Sequence, residues 1–308
     1  MGISDLGFLN GILTDFYRDK KIKRLRVMAV LCLPSGTCAA EGGASVFFHL
    51  PDLTFDEPWG CLVYGIQQWN TSFGEADMNQ ALQQYLLPTD IIDSDHQAVR
   101  DYALESVEGA ADDPIEKAVK LYYAVRDVIW YDPYLPFHRP EHYRASNVLK
   151  RGRAFCVGKA TLLCALGRAC GIPSRVGFAD VRNHLATKQL LEFLGSDLFA
   201  YHGFTEFYLN GKWCKATPAF NIQLCRKHKV VPLEFDGCSD SVFHPFNIEK
   251  KQFMEYVADH GTYADIPVEK IVAAWRQAYG EDRVQQWIEG FEASDSAVRR
   301  DFDAEDAI

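Results

Sequence analysis

From residue 94 onward, apolar and polar positions alternate with periods that define their elements. Ile115, Val119, Tyr122, Val125 and Ile129 recur at three- and four-residue spacing, which predicts a helix over 114–130 with one face on a core. Asp113 and Pro114 open it as N-cap and first helical residue. A helix is expected before it over 94–108, and another over 156–170, closed by Gly171 with Pro173 beyond. This last helix is rich in small residues, Gly158, Ala160, Ala165, Gly167 and Ala169. Small side chains let a neighbouring backbone come close, so it is expected mid-domain with a sheet laid against it.

Residues 174–181 read as a strand and 186–194 as a helical stretch. Tyr201 to Leu209 and Lys212 to Thr217 then flank Asn210-Gly211, a dipeptide that suits a type I′ hairpin turn because both residues tolerate positive φ. A two-residue turn there sets Glu206 opposite Lys215, Tyr208 opposite Trp213 and Phe204 opposite Thr217. Alternation puts His202, Phe204, Glu206 and Tyr208 on one face with Trp213, Lys215 and Thr217. Past 222 the pattern turns polar and loop-like, then becomes amphipathic and helical from Val268 to Phe291 with a break near Gly280. Three parts follow: 1–77, an N-terminal extension without a persistent pattern; 78–225, a core; and 226–308, a loop and helical extension with a charged tail. The first part reads either as a small accessory subdomain or as upstream sequence ahead of Met78.

Charge and cysteine usage narrow the function classes. Asp and Glu total 42 against 32 Lys and Arg, a formal charge of -10 that argues against nucleic acid as a partner. The longest apolar run, Val27 to Leu33, stops at Pro34, well short of the roughly 18 residues that span a bilayer, so no membrane segment is expected. Basic residues ahead of that run imitate a signal peptide, but no small-x-small cleavage site follows. Nine scattered cysteines, an odd number in a long chain, fit reduced thiols in a cytoplasm. Cys225, His228, Cys238 and His244 are zinc-ligand types, but their spacing is not a standard ligand pattern, and no metal is expected.

One pair carries candidate chemistry. Cys156 sits where a helix begins, and the partial positive charge there favours a thiolate, with Arg151 and Arg153 adding to it if they face the site. His202, at the start of the hairpin, supplies the imidazole that a nucleophilic cysteine needs. Thr217 is its diagonal neighbour, where a triad wants a carboxylate or amide. Glu206 reads most simply as a cross-strand ion pair with Lys215.

Gly152-Arg153-Ala154-Phe155-Cys156 and the following helix, Gly171-Ile172-Pro173-Ser174-Arg175-Val176, and His202-Gly203-Phe204-Thr205-Glu206-Phe207-Tyr208 running through Asn210-Gly211 to Trp213 together resemble the transglutaminase-like superfamily of papain-like cysteine enzymes, in a bacterial form. The resemblance covers Pro114 to Asn221. It implies an α+β fold whose central helix packs on an antiparallel sheet, with Cys156 as nucleophile and His202 as base. The superfamily pattern has an Asp where this chain has Thr217. Asn221 could replace it as an orienting amide, and Glu206 could support the site from the same face. The oxyanion would be held by the Cys156 N–H and an upstream donor, Tyr131 or His142. The implied activity is cofactor-independent hydrolysis of a peptide or protein amide through a thioester, since no calcium loop is evident. The alternatives are a non-catalytic binding protein that has lost the triad, and an amine-incorporating transglutaminase.

Overall fold

The Asp113 side chain accepts the Ile115 amide and Pro114 occupies the first helical turn, so a helix starts where the sequence predicts one. The computed structural model describes residues 80–293, apart from 185 and 245, together with 302–305; the extension read over 1–77 thus lies outside the described residues. In chain order the elements are α1 (Gln97–Ser106), α2 (Pro114–Tyr123), a π-helical turn (Ala124–Val128), β1 (Trp130–Tyr131), α3 (Pro140–Tyr143), α4 (Ala145–Arg151), β2 (Arg153–Ala154) and α5 (Cys156–Ala169). There follow β3 (Ser174–Asn183), α6 (Lys188–Leu194), β4 (Leu198–Leu209), β5 (Lys212–Ala216), α7 (Ile222–Lys227), β6 (Met254–Tyr263), α8 (Val268–Tyr279), α9 (Glu281–Ala293) and a 3-10 turn, Phe302–Ala304.

The protein is α+β. Its sheet runs β5-β4-β3-β6, antiparallel throughout, and β1 pairs separately with β2 in parallel. Asn210 and Gly211 both take positive φ, and the hairpin register sets Glu206 against Lys215 and Tyr208 against Trp213, as the turn dictates. The sheet does not end with the core boundary expected at 225, because β6, drawn from the segment read as an extension, pairs along β3 from Val176–Tyr263 to Asn183–Met254. That strand is an edge, and most of its residues are exposed or half-exposed, so it lacks the apolar alternation that marks a strand in sequence.

Helix α5 is buried along almost its whole length and lies against β4. Its small residues set the spacing. A Cβ added at Gly167 would stand 2.5 Å from the Phe207 ring, and one added at Gly203 would stand 2.9 Å from the Val157 Cα. Thr205 closes the same contact by donating to the Ala160 carbonyl at 2.9 Å. Gly203, Thr205 and Phe207 therefore face α5, while Phe204 and Glu206 face away. On that outer face the Glu206 carboxylate pairs with Arg175 of β3 at 2.6 Å, where the sequence pattern had suggested Lys215. Lys215 instead lies over the Phe204 ring, and Arg175 stacks on Trp213. A planar guanidinium can pair and stack at once, which the lysine cannot do.

Candidate active site

Cys156 is the first residue of α5, with Phe155 as its N-cap. Burial pushes its thiol up to about 11, and the backbone N–H groups of Gly203, Val157 and Cys156 itself work in the opposite direction. Because Gly203 lacks a side chain, β4 comes close to the tip of α5. The residue next to His202 is thus packed against Val157, the residue after the candidate nucleophile. Gly203 was not singled out from the sequence, although a glycine beside a candidate histidine is the signal of a close backbone approach.

His202 sits at the edge of the β4 irregularity and packs its ring 4.9 Å from Phe243. Burial lowers its pKa to about 3, and Nε2 is buried without a hydrogen-bond partner among the described residues. Cys156 and His202 are therefore a neutral thiol and a neutral imidazole at neutral pH. The helix terminus alone does not yield a thiolate, because removing the sulfur from water outweighs the three amides. The flanking arginines do not help. Arg151 donates to the carbonyls of Arg153 and His142, and Arg153 pairs with Asp132 at 3.0 Å.

Thr217, at the position of the superfamily's Asp, and its proposed replacements Asn221 and Glu206 all hydrogen-bond elsewhere than to His202. Thr217 donates its hydroxyl to the Ser241 carbonyl at 2.7 Å. Asn221 accepts the Tyr131 amide at 2.8 Å and donates to the carbonyls of Arg126 and Ile129 at 2.7 and 2.9 Å. Those carbonyls are left over where α2 loosens into its π turn, and the fully buried Lys159 donates to the same two at 2.8 and 2.6 Å. Burial holds the Lys159 ammonium pKa well below its usual range, and a neutral amine has the two N–H groups this needs. Asn221 is a clasp for the segment that carries Tyr131. Asn221→Ala is expected to leave the Tyr131 amide unpaired and cost about 2–3 kcal/mol, measured by urea unfolding, while the pH dependence of Cys156 alkylation stays unchanged. A changed alkylation profile at unchanged stability would return the orienting role to Asn221. Glu206 is likewise engaged, by Arg175.

What sets His202 instead is a bulge. Ala179 pairs with His202 and Val181 with Phe199, so β4 carries an extra residue opposite Asp180, and Tyr201 takes a φ of 54°. Asp180 accepts the Tyr201 amide at 2.9 Å and pairs with His260 at 2.8 Å, and the His260 ring stacks on Tyr201 at 4.1 Å. From the other side, α8 grips Ala200: the Tyr279 hydroxyl accepts its amide and the Trp275 indole donates to its carbonyl, each at 2.9 Å. Trp275 also packs on Phe137 and on Phe155, the residue before Cys156. None of these was read from the sequence, since the bulge leaves no mark in the apolar pattern of β4. Of the suggested oxyanion donors, Tyr131 pairs with Ala154, two residues before Cys156, whereas His142 accepts the Arg139 amide of its own turn.

Among the described residues no group of three or more His, Cys, Asp or Glu could hold a metal, and no helix is long and apolar enough to cross a membrane. Cys156 thus heads a buried central helix that packs on an antiparallel sheet of an α+β fold, with His202 on the strand that faces this helix. Residues 101–218 match the family model of the transglutaminase-like superfamily. A search among curated proteins finds no match. Among solved structures, one titled "a putative cysteine protease from Cytophaga hutchinsonii" is similar at 14% identity and a TM-score of 0.38, over 62% of this chain and 50% of that one. Another, titled "a putative protease from Parabacteroides distasonis", is similar at 17% identity and a TM-score of 0.29, over 44% of this chain and 25% of that one. The chain thus spans half or less of the length of these two.

Proposed function

We propose that the protein is a cysteine-dependent acyl-transfer enzyme that hydrolyses a peptide or protein amide, with Cys156 as nucleophile and His202 as base. The observation that carries this reading is the close approach of Gly203, the residue beside His202, to the tip of α5, where a Cβ on Gly203 would stand 2.9 Å from the Cα of Val157, the residue after Cys156. In the first step the sulfur attacks the amide carbonyl, and the imidazole takes the thiol proton and passes it to the leaving amine as the C–N bond breaks. Water then adds to the thioester, its proton passes through the imidazole to the departing sulfur, and the carboxylic acid leaves. The N–H groups of Cys156, Val157 and Gly203 are the available donors for the oxyanion.

A second reading, a binding protein on the same fold, is favoured by one observation: the buried Nε2 of His202 has no partner among the described residues, and Thr217 is turned to Ser241. Reaction with p-nitrophenyl acetate separates the two. Acyl transfer predicts an acetyl adduct on the Cys156 peptide that is absent in Cys156→Ala and forms at least about 100-fold more slowly in His202→Ala. No adduct on Cys156 between pH 6 and 10 would leave the binding reading. Adding monodansylcadaverine distinguishes hydrolysis, which leaves it free, from amine transfer, which consumes it.

A further inference from the structure

Residues 302–305 are a short piece of chain with two buried anchors and an exposed Ala304 between them. The Phe302 ring lies 5.6 Å from Tyr131 and 6.2 Å from both Tyr134 and His228, nearly parallel to the last. Phe302 lines a cavity together with Leu190, Phe220 and Phe253. Three positions on, Glu305 is buried as well, and both of its oxygens are held: Oε1 accepts from the Tyr134 hydroxyl at 2.7 Å and Oε2 from the Thr187 hydroxyl at 2.5 Å. Thr187 is almost fully buried and oriented by accepting the Leu190 amide at 3.1 Å.

A carboxylate is costly to take from water, and packing alone gives no reason to build two aligned hydroxyls for one. The recess also shares a wall with the candidate site. Tyr131 touches Phe302, and it pairs with Ala154, two residues before Cys156. We infer that this recess is a peptide-binding site whose ligand carries an aromatic residue three positions before a carboxylate, and that residues 302–305 are its occupant in cis. Its role as a substrate subsite rests on the acyl-transfer reading; its capacity to bind such a peptide does not.

The test uses the full chain with Cys156→Ala, so that binding is read without turnover, and a fluorescein-labelled peptide of residues 300–308. An occupant in cis competes at high effective concentration, so the parent chain binds weakly. Fluorescence anisotropy is expected to show at least tenfold tighter binding once Phe302→Ala and Glu305→Ala empty the recess. Peptides in which the Phe or the Glu is replaced by Ala are each expected to lose at least tenfold. Equal binding by parent and emptied chains, or equal binding of the anchorless peptides, overturns the site. If circular dichroism shows the double variant unfolded, Glu305→Gln alone is read in its place: tighter binding than the parent supports the site, and unchanged binding overturns it. Because no step involves the thiol, this result is independent of whether Cys156 forms an acyl adduct.

Discussion

At pH 7, Cys156 is expected to react with iodoacetamide about 100-fold more slowly than a solvated thiol, at a rate that climbs with pH through about 11 and does not level off near 9. The thiolate is the reactive form, and moving the pKa from 9.0 to about 11 removes about 99% of it at any pH well below both. Exposed Cys238 provides the internal comparison by peptide mapping. The cause is desolvation, so admitting water should reverse it. Trp275 closes the site by packing on Phe155 and by holding the Ala200 carbonyl. Trp275→Ala is accordingly expected to speed alkylation roughly tenfold, one pKa unit's worth. Fast alkylation of the parent protein near pH 6 that disappears in His202→Ala would mean a thiolate–imidazolium pair, and would overturn the neutral resting site.

The parts of this fold legible in the sequence are those whose cause is local. Asn210-Gly211 fixes its turn through the φ values it tolerates, and the turn fixes the register of β4 on β5. Gly167 and its small neighbours signal a buried helix because nothing larger fits against Phe207. Cys156 and His202 stand out as a candidate pair through the order of the pieces around them. The roles of Asn221, Asp180 and Trp275 were not, because each meets backbone groups far along the chain: Tyr131 for Asn221, Tyr201 for Asp180, Ala200 for Trp275. An amide that satisfies a leftover carbonyl has the same letter as one that orients an imidazole. What separates them is the π turn and the bulge, irregularities that no apolar period encodes.

His202 should also make the protein sensitive to acid, by an amount that measures what its burial costs. The unfolded chain protonates this imidazole near its ordinary pKa of 6.5, whereas the folded chain resists until about 3. Between those values the unfolded state binds the extra proton, so stability is lost as pH falls through that window and is regained as it rises. The slope reaches about 1.4 kcal/mol per pH unit, and the whole window is worth on the order of 5 kcal/mol. His202→Gln keeps a polar side chain of similar reach but removes the titration. Urea unfolding at pH 7, 5.5 and 4.5 is expected to show the parent losing stability relative to this variant by about 1 kcal/mol at pH 5.5 and about 2–3 kcal/mol at pH 4.5. Acid-sensitive surface carboxylates such as Asp236 and Glu249 are common to both chains and cancel in the difference. Parallel pH dependences would show that the imidazole is already hydrated in the folded protein, which would give His202 the solvent access that a base in general acid–base catalysis needs.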